Sequence, residues 1–198
     1  MKTALAILSL IAAAIGAGLA AAYTGLPDVA ATTPHWAITE WVLSTTMENA
    51  VRRQAKDVDP PGFLEDEARI RAGAVAYDEM CATCHGVPGA EPGVIAQGLN
   101  PQPPELAEVA EEWSPGELFW ITQHGVRMTG MPAFGPTHDD DELWEVVALV
   151  RRLPHLSPTG YRALVGSDAS GELGDSHAEG LEPEHRHGHS HAHHAEPQ

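Results

Sequence analysis

The sequence CATCH at residues 81–85 contains both cysteines of the 198-residue chain, and a histidine directly follows the second cysteine. With this spacing the thiols of Cys81 and Cys84 can add to the two vinyl groups of one haem, while the imidazole of His85 reaches the iron. A zinc site would need further ligands at similar spacing, and a redox dithiol would need a βαβ pattern around it; the sequence has neither. The stretch therefore predicts one covalently attached haem c.

The sequence around this motif predicts helices joined by long loops rich in proline and glycine, without strand alternation. Apolar residues at three- and four-residue steps indicate a helix at 65–81, which leads into the motif, and another at 140–153. Gly73 has no side chain, so these two helices can cross closely at that point. A shorter helix is expected at 114–124. Its candidates for contact with the porphyrin are Leu118, Phe119 and Ile121.

A second iron ligand is expected in the loop at 125–135. A thioether is a soft, neutral ligand, and Met/His coordination raises the reduction potential and closes the iron to substrates. Met131 lies between Gly130 and Pro132, so the proline holds its backbone extended while the glycine permits a tight approach. Met128 is not flanked by a glycine and a proline, and it is the second candidate.

Residues 4–22 form an uncharged, apolar run directly after the start of the chain. As a helix this run would be about 28 Å long, which matches the hydrocarbon core of a bilayer. A cleaved signal peptide is the alternative, although the run is longer than the usual apolar region of a signal peptide. Lys2 predicts that the N-terminus is cytoplasmic, and both alternatives export the rest of the chain.

A second helix is expected at 33–56, with Thr33 as N-cap and Pro34 at the first helical position. Its first half, which includes Trp36 and Trp41, is apolar on most sides. Three placements fit this pattern: the lipid headgroup region, a partner subunit, and the surface of the haem domain, which it would cover as an ordinary core helix.

The chain has a net charge of −17, of which −11 falls between residues 60 and 160. An acidic surface argues against nucleic acid and anionic lipid as partners. From Ser167 onward glycine, serine, acids and histidines dominate, and this tail is predicted to be disordered. Its histidines can bind Cu, Ni or Zn, or they can simply belong to a solvated polar segment. The candidate metal residues are His185, His187, His189, His191, His193 and His194.

These patterns divide the chain into four parts. They are a membrane anchor or signal segment at 1–25, an amphipathic helix and linker at 26–62, a haem domain at 63–160 and a disordered, His-rich acidic tail at 161–198.

The motif CATCHG after a helix with Tyr77, the motif GMPAFG, and a last helix with Leu143-Trp144 and Arg151-Arg152-Leu153-Pro154 resemble those of a class I monohaem cytochrome c. The resemblance covers residues 65–156 and is closest to the cytochrome subunits of cbb3-type oxidases. It implies an all-α domain in which Cys81 and Cys84 carry the thioether bonds, with His85 as the proximal and Met131 as the distal ligand. It also implies that a proline carbonyl accepts the proximal imidazole N–H, and the candidates are Pro88 and Pro92.

We therefore expect an electron carrier rather than an enzyme, anchored in a bacterial inner membrane with its haem domain in the periplasm. Its expected partners are redox proteins, such as membrane oxidoreductase subunits. A peroxidase-like enzyme would need an open iron position, which a bond to Met131 denies. Metal handling or redox sensing through the histidine-rich tail is the alternative function.

Overall fold

The computed structural model describes residues 2–166. Within this part the chain is helical, and its only β-type pairing is an isolated bridge between Val87 and Ala90, so the all-α prediction is confirmed. In chain order the α-helices are α1 (Lys2–Thr24), α2 (Ala37–Gln54), α3 (Glu67–Met80), α4 (Ala82–His85), α5 (Val94–Gln97), α6 (Leu106–Val109), α7 (Pro115–His124), α8 (Asp140–Arg152) and α9 (Pro158–Val165). Two 3-10 turns lie at Ala110–Glu112 and Leu153–His155.

The crossing of α3 and α8 forms the centre of the core. A Cβ atom placed on Gly73 would collide with the backbone carbonyl of Glu145, so only glycine permits this approach. The ring of Phe119 from α7 stacks on Trp144 with centroids 4.2 Å apart. The helix crossing expected at Gly73 is therefore present. The largest fully buried side chains of this core include Ile70, Tyr77, Leu143, Val147, Leu149 and Leu153.

Capping side chains fix where α7 and α8 begin. Ser114 accepts from the backbone N–H of Glu117, while the Glu117 carboxylate accepts from the backbone N–H of Ser114 at 2.7 Å. Asp139 and Glu142 form the same reciprocal pair at the start of α8. Each capping residue is worth about 1 kcal/mol because it satisfies backbone donors that the helix leaves free. The starting residues of α7 and α8 are thus well defined.

Helix α2 begins later than the sequence predicts. Its N-cap is Trp36, which supplies no capping side chain, and Pro34 precedes the helix. Thr33 instead donates from its hydroxyl to the carboxylate of Asp28 at 2.7 Å, so the side chain expected to cap the helix stabilises the preceding turn. The predicted N-cap at Thr33 is therefore wrong, and the connector between α1 and α2 comprises residues 25–36.

Helix α9 extends the domain beyond residue 160, where the sequence placed its end. Ser157 caps this helix and Pro158 occupies its first position. Tyr161 is buried against α3, and its hydroxyl donates to the carboxylate of Asp78 at 2.9 Å. The disordered tail therefore does not begin at residue 161. The tail predicted from Ser167 onward, with the candidate metal residues His185 to His194, lies outside the described residues.

Replacing Gly73 with alanine should destabilise the domain. Alanine favours a helix over glycine by about 0.5–1 kcal/mol. The new methyl group, however, meets a backbone carbonyl that cannot rotate away, and overpacking of this kind costs about 1–3 kcal/mol. We expect a lower midpoint of thermal unfolding, measured by circular dichroism on the haem-loaded protein. Gly62→Ala is the matched control because nothing lies within 4 Å of its added Cβ. Equal midpoints for the two variants would contradict the packing argument.

Candidate haem-attachment site

The end of α3 positions the CATCH motif. The backbone N–H of Cys81 donates to the carbonyl of Tyr77 at 2.8 Å, and α4 follows at once as a single turn. Gly86 then ends α4 with a φ of 69°, a conformation that a side chain disfavours. As a result Cys81, Cys84 and His85 lie within little more than one helical turn. Both thiols are free, and burial raises the pKa of Cys81 to about 12.

His85 is held by the carbonyl of Pro104. Its Nδ1 lies 2.8 Å from that oxygen, and since a carbonyl only accepts, Nδ1 carries the proton and Nε2 keeps a free lone pair. Burial lowers the pKa of His85 and so favours the neutral imidazole, which is the form that binds a metal. The candidates Pro88 and Pro92 are therefore wrong. The accepting carbonyl is 19 residues away along the chain, and no local pattern in the sequence distinguishes Pro104 from its neighbours.

Tyr77 supports the turn that follows the motif. Its buried hydroxyl donates to the carbonyl of Gly86 at 2.8 Å, and burial raises its pKa, so the hydroxyl stays protonated and remains a donor. The ring of Tyr161 packs edge-on against Tyr77 with centroids 6.3 Å apart. Tyr161 was not singled out from the sequence. The Ser157-Pro158 pair repeats the helix start seen at Ser114-Pro115 and could have indicated its helix.

The loop at 125–135 forms a closed turn around Met131. The backbone N–H of Val126 donates to the Met131 carbonyl at 3.2 Å, and the Thr129 hydroxyl accepts from the Met131 N–H at 3.1 Å. Met128 lies at the tip of this turn with a φ of 63° and a side chain that is 80% exposed, whereas Met131 is half-buried. The backbone therefore holds Met131 from both sides and leaves Met128 pointing into solvent.

Further hydrogen bonds tie this loop to the rest of the domain. The N–H groups of Phe134 and Gly135 donate to backbone carbonyls near the end of α7, at 3.2 and 3.0 Å. On the other side, a Cβ atom on Gly130 would lie 2.9 Å from the Leu99 side chain, so the loop that carries Met131 touches the segment that follows α5. The loop that carries Met131 is thus held by the end of α7 on one side and touches the segment after α5 on the other.

The three side chains that the sequence predicts to contact the porphyrin differ in how deeply they are buried. Leu118 and Phe119 are buried in the protein core, whereas Ile121 is half-exposed. Leu118 and Phe119 therefore stabilise the domain, and Ile121 remains the candidate for porphyrin contact from α7. A cavity of about 400 Å³ opens between α5 and residues 102–105, but none of the four expected attachment and ligand residues lines it. Its lining is Glu91, Pro92, Ala96, Gln97, Gln102, Pro103 and Glu105.

This set of donor atoms fits a haem attached through two thioether bonds. It consists of two free thiols on one helical turn, an imidazole whose Nε2 is free, and a thioether framed by a hydrogen-bonded loop. Within residues 2–166 no group of three or more His, Cys, Asp or Glu side chains is placed to hold a metal ion by itself. A helical domain in which α3 crosses α8 and ends in a CATCH motif is typical of the c-type cytochromes.

Comparison with known proteins leads to the same class. Residues 68–150 match the protein family described as cytochrome c oxidase, cbb3-type, subunit III. This match supports a class I cytochrome c domain of the cbb3 type for the segment, and the family implies electron transfer and haem c. The match begins in α3 and ends in α8, so it includes the CATCH motif and the loop with Met131.

A curated relative is similar to about half of this chain. The quinohemoprotein alcohol dehydrogenase ADH-IIG of Pseudomonas putida is 29% identical over 103 residues, which are 51% of this chain and 13% of that protein. The chain therefore spans only a small part of the length of that relative.

Proposed function

We propose that this protein is a membrane-anchored, periplasmic c-type cytochrome that transfers single electrons, as a shuttle or as the cytochrome subunit of a respiratory oxidoreductase. The observation that carries the proposal is the hydrogen bond between His85 Nδ1 and the Pro104 carbonyl. His85 itself lies four residues after Cys81. A histidine placed directly after a free thiol, with one ring nitrogen engaged and the other free, is suited to ligate the iron of a haem attached at Cys81 and Cys84.

Each residue of the site has a distinct task in this function. When bound, haem c supplies the one-electron couple of its iron. Pro104 fixes the tautomer and orientation of the His85 ring, and Tyr77 holds the backbone at Gly86 in place. Met131 would supply a soft thioether ligand to the iron, which would favour the reduced state. Because hydrogen bonds hold the His85 ring and the backbone of Gly86 and Met131, these residues would need to rearrange little when the iron gains or loses an electron.

The proposed location follows from α1. This helix is 23 residues long with a mean hydropathy of 2.3, and none of its residues is buried in the protein. It is long enough to cross a bilayer. Lys2 before the apolar run would keep the N-terminus on the cytoplasmic side, which puts the cytochrome domain in the periplasm. We propose redox proteins of the same membrane as its partners, and a domain that comprises residues 63–166.

We predict that the mature protein keeps α1 and fractionates with membranes at high salt, with release by detergent alone. Salt does not release an apolar helix that spans the bilayer, because salt screens only electrostatic attraction. An acidic domain is not attracted to an anionic bilayer, so salt has no such attraction to weaken. The measurement is extraction of native membranes followed by sequencing of the mature N-terminus. A chain that starts at Tyr23 and is found in the soluble fraction would show that the apolar run is a cleaved signal peptide.

The electron-transfer function can be separated from the alternative of metal handling by deleting residues 167–198. A carrier should keep one reversible one-electron step in a redox titration, and the same rate of oxidation by a small soluble mediator. Binding of carbon monoxide to the reduced, intact protein would indicate an open iron position and favour an enzyme. If the truncated protein instead loses its redox step while retaining haem, the tail is part of the function.

A further inference from the structure

Helix α2 consists of two halves with opposite surroundings. Its C-terminal half is fixed to the cytochrome domain, because Val51 and Ala55 are buried there. The start of α7 approaches so closely that a Cβ atom on Gly116 would lie 2.5 Å from the carbonyl oxygen of Val58, just beyond α2. The guanidinium of Arg52 also lies over the ring of Trp113, 5.8 Å from its centroid. This half of α2 therefore moves with the domain.

The N-cap and the N-terminal half of α2 carry large apolar side chains that are exposed. Trp36 is 80% and Trp41 64% exposed, and Ile38, Val42 and Leu43 are also exposed. Successive residues of an α-helix are about 100° apart, so Trp41 to Leu43 alone span about 200° of the circumference. An apolar surface on nearly all sides does not suit docking to a single groove, which covers one face only. It suits an environment that surrounds the helix.

Charge argues for the same environment. Between Trp36 and Met47 the only charged residue is Glu40. The hydroxyl of Thr46 donates back to the carbonyl of Val42, which leaves one polar group fewer to be solvated. The basic residues of α2 lie in its last turn, at the far end of the helix, where Arg52 is already paired with Glu48 at 3.6 Å. The exposed half is thus nearly neutral, with tryptophans of the kind found at membrane interfaces.

The position of this segment along the chain identifies what surrounds it. Only the 12-residue connector 25–36 separates it from α1, and a connector of that length spans at most about 40 Å. The connector is also tied to the cytochrome domain, because Asn100 Nδ2 donates to the Thr33 carbonyl at 3.0 Å. If α1 leaves the bilayer at Thr24, the two tryptophans are held within reach of the same membrane surface.

We propose that residues 36–43 insert into the headgroup and outer acyl region of the bilayer that holds α1. This proposal rests on the membrane anchoring of α1 proposed above. Because the other half of α2 is fixed to the domain at Val51 and Ala55, the insertion also fixes the orientation of the cytochrome domain relative to the membrane. The segment is then a second membrane contact, and α2, a rigid helix about 27 Å long, joins that contact to the haem domain.

The test uses the haem-loaded full-length chain in lipid nanodiscs whose phosphatidylcholine carries bromine on its acyl chains. Bromine quenches tryptophan emission only at close range, so emission is compared with that in unbrominated nanodiscs. The unmodified protein should lose emission in the brominated lipid. The double variant Trp36→Phe with Trp41→Phe should lack this loss, and it should keep the haem absorption spectrum as evidence of folding. Trp113→Phe is the matched control and should retain the full loss, because Trp113 lies on the domain beside Arg52.

An equal loss of emission in the double variant and in the unmodified protein would overturn the proposal, as would the absence of any loss in the unmodified protein. A photo-crosslinking benzoyl-phenylalanine placed at position 41 in native membranes identifies the neighbour directly. A lipid adduct supports the proposal, whereas an adduct with another protein or with a second copy of this chain overturns it. Salt extraction of the same membranes tests α1 separately: a chain that resists salt but shows no quenching refutes the second contact and leaves the anchor intact.

Discussion

Replacing both Cys81 and Cys84 with alanine should yield a chain without covalently bound haem, and either single replacement should leave at most one thioether bond. These are the only thiols of the chain, and both are free at the end of α3. The measurement is the haem that stays with the protein after acid denaturation and extraction with organic solvent, quantified by absorption and by the mass of the intact chain. The expected effect is complete loss in the double variant, because no other side chain can form a thioether with a vinyl group.

Thr83→Ala is the matched control for this experiment. Thr83 lies between the two cysteines and is exposed, and the structure uses only its backbone carbonyl, which accepts from the N–H of Gly93 at 3.0 Å. The control should therefore retain both thioether bonds and the mass of one haem. Haem that survives denaturation of the double cysteine variant would refute the attachment site.

Replacing Met131 with alanine should open the sixth coordination position of the iron. We expect a reduction potential lowered by on the order of 0.1 V, a modest part of the about 0.8 V range that axial ligands span, because the thioether favours ferrous iron. Carbon monoxide should then bind to the reduced protein. The measurements are a redox titration and the absorption spectrum under carbon monoxide.

Met128→Ala is the natural comparison for the distal ligand. Met128 lies three residues away in the same turn, but its side chain is exposed and no hydrogen bond of the loop frames it. It should change neither the potential nor the reaction with carbon monoxide. If the two variants exchange behaviour, the loop rearranges on binding haem and Met128 is the ligand.

The sequence was most informative where a property is local. A glycine in the middle of an amphipathic helix predicted the crossing of α3 and α8, and the collision of a Cβ at Gly73 with the Glu145 carbonyl explains it. The order Cys, Cys, His fixed the composition of the candidate site because all three residues lie on one turn. The capping residues that begin α7 and α8 are equally local, since each contacts a residue only three positions away.

The sequence was least informative where chain segments meet over a distance. Pro104 accepts from His85 only because the loop after α4 returns to the motif, whereas the sequence suggested the nearer prolines Pro88 and Pro92. Leu118 and Phe119 are apolar and close in sequence to the ligand loop, yet both are buried in the core, where Phe119 stacks on Trp144 of α8. Tyr161 was assigned to a tail because its short helix owes its stability to packing on α3, which an isolated segment of eight residues lacks.

The connector at 25–36 has a consequence for how fast electrons can be delivered. With α1 in the membrane, 12 residues keep the domain within about 40 Å of the bilayer surface, so encounters with membrane-bound acceptors take place by lateral diffusion in two dimensions. An acceptor inside that radius experiences a local concentration on the order of millimolar, whatever the amount of protein in the compartment. The rate of delivery would then depend on crowding and fluidity of the membrane, and an acceptor site far above its surface would receive no electrons from this protein.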